Sequence, residues 1–307
     1  MTSSRRVTLP FHIVDVFAVE PLAGNSLAVV EGTEDLADQE LDDLTLGRIA
    51  REFNQSETTF VLPPTRPDAD WRLRSFTPAG VEVFGAGGHN TLGAWWWLAE
   101  AGKLALAGDA ALFHQQIGDR VLPVTIARAG GRLASVVMEQ DAPVAGRRVE
   151  DLARLAAALG LGAADLAPDR APCQVVSTGA AHLMVPIRDR DAVDRIRPDA
   201  RALLAVLGGV GGEGCYAFSL DPRQADAVAY ARFFNPTVGI SEDPATGTAA
   251  GPLAAHLVAH GLARPGPIGV EQGTAMGRTS VIQVDVQGKS VKISARAIVV
   301  ASGQLFL

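Results

Sequence analysis

The chain is poor in cysteine. Cys173 and Cys215 are its only two, and neither has a near partner. Without a Cys-x-x-Cys pair or ligand spacing, neither a thiolate zinc module nor a disulfide-stapled scaffold is expected, and two buried thiols are favoured over a bridge. Basic excess is missing too: 27 Lys and Arg stand against 34 Asp and Glu, a net charge of −7. With no Lys/Arg cluster, a nucleic-acid surface is not expected, although a helix N-terminus still supplies a local positive site for an anion. Long apolar runs are absent, none approaching the ~20 residues of a bilayer span. Residues Met1–Arg6 carry two arginines with no apolar segment after them. No membrane association and no signal peptide are therefore expected, and the cytoplasm is the expected location.

Several catalytic signatures are also lacking. The glycine-rich loops match neither the dinucleotide fingerprint nor the P-loop. His256 and His260 have helical i,i+4 spacing, but no HExxH glutamate lies between them, so no metal site is expected. Ser177-Thr178-Gly179 is not a nucleophile elbow.

What is present is enough chain for two domains, 307 residues, with an ordinary globular balance of 48% hydrophobic and 20% charged residues. Strands are expected at 11–19, 26–30, 58–62, 71–76, 122–127, 133–138, 175–177, 182–187, 215–220, 228–234, 280–286, 291–294 and 297–300. Helices are expected at 38–53, on the apolar positions Leu41, Leu44, Ile49 and Phe53, at 149–159, and across 191–207 with a break at Pro198. The stretches 208–214 and 239–247 read as glycine-containing loops. Two further helices, 89–102 and 248–260, are apolar on every side; too short to span a bilayer, they belong inside their domains.

One repeat organises these elements. Arg74-Ser75-Phe76-Thr77-Pro78 leads through a glycine-rich loop to Gly88-His89-Asn90-Thr91 and an apolar helix closed by Gly102. Arg232-Phe233-Phe234-Asn235-Pro236 leads likewise to Thr246-Gly247-Thr248-Ala249 and a helix closed by Gly261. Duplication explains this better than chance. The expected fold is α/β (α+β), two pseudo-two-fold-related halves, each a barrel-like, mostly antiparallel sheet around a central helix. The first half is expected over 1–122, completed by the C-terminal strand 297–307, and the second over 123–296. Both helix N-termini then point into one cleft, where free N–H groups suit a carboxylate or an enolate-like charge.

Glu57, in Asn54-Gln55-Ser56-Glu57-Thr58, has small polar neighbours and no adjacent cation. At a strand edge facing the cleft it could transfer protons; on spacing alone, a solvated surface glutamate is the favoured reading. His89 opens a buried helix, where the positive dipole end favours a neutral, hydrogen-bonding imidazole. Packing or capping accounts for it equally well. Asp243, before the second helix, reads as a cap or as a hydrogen-bond acceptor that receives a substrate amine or hydroxyl, or orients His89.

Taken in order, Val16-Phe17, Gly24-Asn25-Ser26-Leu27-Ala28-Val29-Val30, Asn54-Gln55-Ser56-Glu57-Thr58, Gly88-His89-Asn90-Thr91-Leu92-Gly93 and Glu242-Asp243-Pro244-Ala245-Thr246-Gly247-Thr248-Ala249 resemble the PhzF-like family of phenazine biosynthesis. That family shares the diaminopimelate epimerase fold. The resemblance covers nearly the whole chain and reverses the balance at Glu57. It implies an isomerase of the trans-2,3-dihydro-3-hydroxyanthranilate type that shifts a proton on a small carboxylate without metal or organic cofactor, as a homodimer. Glu57 matches the acid/base, His89 and Asp243 its assistants, and Ser56, Gly88, Asn90, Gly247 and Thr248 the substrate side. Ser26 stands where the family usually has proline, Thr248 where it has serine, and Asn90 where it has alanine or proline. The run Phe84-Gly85-Ala86-Gly87-Gly88-His89 is longer and richer in glycine. These departures bear on which substrate is taken. The epimerase branch uses a cysteine in each half, near His89 and Thr248; Cys173 and Cys215 lie elsewhere, which disfavours two-cysteine racemisation. The alternatives are a non-catalytic small-carboxylate binder that retains the fold and a cofactor-dependent enzyme on an unrelated α/β fold.

Overall fold

The computed structural model describes residues 7–32, 41–85 and 88–307. The N-terminal arginines, the first residues of the helix expected from 38, and Ala86-Gly87 of the glycine-rich run lie outside them. In chain order the elements begin with β1 (Thr8–Val16), β2 (Asn25–Glu31), α1 (Asp43–Phe53), β3 (Glu57–Leu62), β4 (Trp71–Phe76), β5 (Glu82–Val83), α2 (His89–Glu100), β6 (Ala110–Ile117), β7 (Arg120–Ala129) and β8 (Arg132–Gln140). They continue with β9 (Val144–Arg148), α3 (Leu152–Ala158), β10 (Gln174–Ser177), β11 (Ala181–Pro186), α4 (Arg190–Arg195), α5 (Ala200–Val210) and β12 (Gly214–Ser219). The last are β13 (Ala229–Asn235), β14 (Ile240–Asp243), α6 (Gly247–Ala259), β15 (Gly266–Gln272), β16 (Ser280–Gln287), β17 (Ser290–Ala295) and β18 (Ala297–Phe306).

Two compact units result, Met1–Met138 with Ala295–Leu307, and Glu139–Ser294. The boundary therefore falls after Met138 and not after Leu122. The reason is pairing: β6 zips onto β7 from Ala110↔Ala127 to Ile117↔Arg120, and β7 onto β8 up to Val137, so the hairpin stays with the strands before it and only the last two residues of β8 pass to the second unit.

In the first unit the pairing runs β18-β1-β2-β3-β4-β6-β7-β8, with β5 added to β4. In the second it runs β9-β10-β11-β12-β13-β15-β16-β17, with β14 added to β13. The order of senses is the same in both: antiparallel, antiparallel, parallel, antiparallel, parallel, antiparallel, antiparallel. Parallel neighbours need a crossover. α1 supplies it for β2 and β3, α2 for β4 and β6; α4 with α5, and α6, supply the two in the second unit. The repeat read from sequence thus extends to whole sheets.

Each sheet curls about one helix. α2 touches β1, β2, β3, β7 and β18, and α6 touches β10, β11, β15 and β16. Residues His89–Ala99 are buried throughout α2. Trp95 stays satisfied there because its indole N–H donates to Gln115 Oε1 at 2.8 Å. On the other face, α1 packs Leu46, Ile49 and Ala50 against Leu9, Val30, Phe60 and Phe76. Leu44, expected in that stripe, is 61% exposed; two residues from Leu46 on a helix place it on the opposite side. In the second unit α3, α4 and α5 cover β10 to β13.

The Arg-x-Phe motif has a physical basis in both units. Arg74 grips Glu82 with two hydrogen bonds (2.8 and 2.7 Å) and lies over the Phe76 ring. Arg232 grips Glu242 at the same two distances and lies over Phe234. Each pair ties the added strand, β5 or β14, to the sheet. Five strands were not expected. β6 and β15 lack clear alternation, β9 is exposed along its length, and β5 and β14 occupy what reads as loop. Helix α5 likewise continues to Val210, through Gly208 and Gly209.

Candidate active site

In the first unit the parallel register sets Leu27 beside Glu57 and so brings the Gly24-Asn25-Ser26 run next to Gln55-Ser56-Glu57. Gly24 has φ +67°, and a Cβ there would lie 2.4 Å from Val16 O, so only glycine makes this turn into β2. Asn54, also left-handed, caps α1 with its N–H on Ala50 O. Ser26 Oγ donates to Gln55 Oε1 at 2.6 Å and ties the two runs together.

Glu57 opens β3 and His89 opens α2, and their side chains meet. His89 Nε2 lies 2.9 Å from Glu57 Oε2, with the two side chains 9% and 19% exposed. On the ring's other side Asn25 Nδ2 lies 3.3 Å from His89 Nδ1. An amide NH2 only donates, so Nδ1 accepts, and the imidazole proton sits on Nε2, the nitrogen within ion-pair distance of the carboxylate though not aligned on it as a hydrogen bond. A neutral imidazole also suits the positive end of α2.

Gly88 is the N-cap of α2, with no side-chain cap. A Cβ on Gly88 would lie 2.6 Å from Asn90 Oδ1, so glycine lets Asn90 fold back over the first turn. Thr91 Oγ1 donates to Gly88 O at 3.1 Å, and Thr59 Oγ1 to Asn90 O at 3.4 Å. Ser56 is exposed beside Glu57.

In the second unit Asp243 ends β14, and α6 starts at Gly247 without a side-chain cap. Thr246 Oγ1 donates to Asp243 Oδ2. Gln272, fully buried, donates to Asp243 O (2.7 Å) and Thr246 Oγ1 (3.0 Å), and accepts from Thr246 N (3.1 Å) and Tyr216 Oη (2.7 Å). Thr248 Oγ1 lies 3.4 Å from Nε2 of His182, whose imidazole burial holds down at about 4. Gln140 Nε2 donates to Gly247 O at 3.1 Å. Sequence reasoning missed Gln272, Tyr216, His182 and Gln140. They come from four different strands, and nothing in their local sequence marks them.

Aligning the units on Arg74 and Arg232 shows where they differ. Arg74 pairs with Phe60 and Arg232 with Ala217, which makes Gly214 the counterpart of Glu57. A Cβ on Gly214 would lie 2.5 Å from the Phe233 ring, so a glutamate does not fit there. The carboxylate exists once.

The cysteines lie away from both helix N-termini, on the apolar face under α3–α5. Burial pushes Cys173 up to about 12 and Cys215 higher still, which leaves both as inert thiols at neutral pH. Among the described residues no group of His, Cys, Asp and Glu is arranged to hold a metal, and no helix is long and apolar enough to cross a membrane. A cleft of about 620 Å³ in the second unit is lined by Arg197, Arg223, Arg232, Asp194 and Glu242. Ser241 and Glu242 of β14 line it, and Asp243 does not. Arg223 and Arg232 are already engaged by Asp194 and Glu242.

A family model described as phenazine biosynthesis-like protein matches residues 14–303. The trans-2,3-dihydro-3-hydroxyanthranilate isomerase of Pseudomonas aeruginosa is 34% identical over 292 residues, 93% of either chain. A phenazine biosynthesis protein of the PhzF family from Bacillus anthracis superposes with a TM-score of 0.85 at 26% identity, covering 98% of this chain and all of its own. A hydroxyproline epimerase from Agrobacterium vitis, at TM-score 0.61 and 15% identity over 100% and 94% of the two chains, shares the fold.

Proposed function

The chain belongs to the phenazine biosynthesis-like (PhzF) family and is an isomerase of that type, and from that premise we propose that it shifts a proton on a small amino- or hydroxy-carboxylate with Glu57 as both acid and base. This reading sets aside the cofactor-dependent enzyme on an unrelated fold. The observation that carries it is the 2.9 Å contact between Glu57 Oε2 and His89 Nε2, with Asn25 on the far nitrogen. It gives the carboxylate a fixed neutral partner without a permanent countercharge.

As carboxylate, Glu57 takes a proton from an sp³ carbon of a conjugated acid. The electron pair enters the conjugated system, and the carboxylic acid returns the proton at a vinylogous carbon. Nothing is gained or lost overall, as an isomerisation requires. His89 Nε2–H supports Glu57 while it is charged. The N–H groups of the first turn of α2, at Gly88–Asn90, together with Ser56, hold the substrate carboxylate and the developing charge, and Gly247–Thr248 at the start of α6 offers donors of the same kind. Asp243 accepts from the substrate's amine or hydroxyl. Having glycine at the Glu57 position of the second unit favours one group serving both proton transfers over two opposed bases. A homodimer in the cytoplasm is the expected setting, and sedimentation tests the assembly.

The test is proton NMR in D₂O with amino-cyclohexadiene carboxylates, trans-2,3-dihydro-3-hydroxyanthranilate among them, and amino acids, comparing wild type with Glu57→Gln. Isomer formation or deuterium uptake by the wild type alone supports the reading. Equal activity in both moves the base elsewhere, and ligand binding without turnover in either favours the carboxylate-binding alternative.

A further inference from the structure

Gln272 uses every hydrogen-bonding position it has. Its carbonyl oxygen takes two donors, Tyr216 O–H and Thr246 N–H, and its amide gives to two acceptors, Asp243 O and Thr246 Oγ1. The carboxamide cannot flip without losing all four. Thr246 Oγ1 already accepts from Gln272, and a carboxylate only accepts, so the single hydroxyl hydrogen of Thr246 points at Asp243 Oδ2. The direction of every bond is therefore set, from Tyr216 through Gln272 and Thr246 to the carboxylate.

The fold does not demand this arrangement. Ala231 pairs with Gln272, and one step back along both strands Arg72 and Gln116 match Tyr230 and Glu271; the first-unit counterpart of Gln272 is Ile117. By the same registers Tyr216 corresponds to Thr59 and Asp243 to Val83. The first unit builds the same strand–strand–helix junction with an isoleucine, a threonine and a valine in these places. A buried polar network absent from one copy of a duplicated fold points to the carboxylate at its end.

We infer that Gln272, backed by Tyr216, is a positioning residue that fixes the Asp243 carboxylate through Thr246. The inference rests on the proposed substrate role of Asp243. With Oδ2 occupied by Thr246 and the backbone carbonyl by Gln272, the carboxylate is held in one orientation before any substrate arrives. That orientation selects a substrate carrying a hydrogen-bond donor, a hydroxyl or amine, over one carrying only acceptors.

The test combines kinetics with crystal structures of Thr246→Ser, Thr246→Val, Tyr216→Phe and Gln272→Leu, with Asp243→Asn as reference. Trans-2,3-dihydro-3-hydroxyanthranilate is the substrate probe. Thr246→Ser keeps the donor and retains kcat/KM. Thr246→Val loses it, and kcat/KM falls about tenfold or more, with the Asp243 side chain turned from its wild-type rotamer and the melting temperature lowered because the buried Gln272 amide loses an acceptor. Tyr216→Phe, which removes one donor and no volume, gives a smaller fall of the same kind and serves if Gln272→Leu fails to fold. An unmoved Asp243 rotamer in Thr246→Val and Tyr216→Phe overturns the inference. So does wild-type kcat/KM in both while Asp243→Asn is impaired. Wild-type activity in Asp243→Asn instead removes the substrate role of Asp243, and the rotamers then still decide whether Gln272 positions it.

Discussion

Glu57 and Gly214 head equivalent strands in two copies of one fold, each three residues from its sheet's arginine-paired position by the same register count. One copy carries a carboxylate beside the first turn of its central helix. The other carries a hydrogen atom, with the Phe233 ring filling the space a side chain would need. A fold duplicated in backbone has been made asymmetric in chemistry.

Replacing Glu57 with glutamine keeps the size and removes the titrating proton. Turnover should fall by about 10²–10⁴, while the thermal melt stays close to wild type because the side chain is partly open to solvent. Stopped-flow or NMR rates read the first and calorimetry the second.

Asn25 is predicted to act through His89. Asn25→Leu removes the donor that keeps the ring proton on Nε2. The rate should drop about tenfold, while kcat loses more than KM, because the acid/base pair is disturbed and the carboxylate-binding turns are not. A steady-state comparison with wild type measures the split.

Gly93 should not tolerate even alanine. Its Cβ would stand 2.6 Å from Val16 Cγ2 and 2.8 Å from Leu27 Cδ2, where α2 lies against β1 and β2. On an exposed helix the change would help by about 1 kcal/mol; here overpacking should cost about 1–3 kcal/mol, read from urea unfolding.

The two arginine pairs should differ in weight. Glu242→Gln leaves the Arg232 guanidinium, 7% exposed, without its countercharge; the loss should be about 3 kcal/mol. Glu82→Gln should cost about 1 kcal/mol or less, because Asp43 remains on Arg74 at 2.7 Å and the site is more open. Parallel denaturation curves of the two variants check the order.

Stability should weaken in mild acid. Burial holds His182 and His256 down at about 4, against 6.5 when exposed. Between those values the unfolded chain takes up protons that the folded chain refuses. Stability is therefore complete above pH 6.5, declines as pH falls to 4 and levels off below, by about 3 kcal/mol for each histidine. His182→Leu, which copies its counterpart Leu27, should flatten part of that slope in a pH series of melts.

Much of the fold was legible because its signals are local. A helix apolar on all sides has to be interior, and Arg-x-Phe-x-Pro before a glycine-bearing loop occurs twice. Strands that alternate, such as β16, announce themselves. β9 and β14 do not, since one is exposed throughout and the other is four residues held in place by Glu242 on Arg232. The boundary at Met138 was illegible for a related reason: which sheet a hairpin joins depends on the strand it pairs with, not on its own residues.

At the candidate site the division is similar. By itself the sequence singled out Glu57, His89 and Asp243, the residues proposed to carry the chemistry, and the two helix starts near them, because short family-like motifs keep acid, turn and cap within a few residues. Only the tertiary structure decided that Asn25 sits behind His89, that Gln272 and Tyr216 stand behind Asp243, and that Gly214 occupies the place of a second acid. Those relationships are set by strand register and by packing between segments tens of residues apart, and a hydrogen bond across such a distance leaves no mark on the local sequence of either partner.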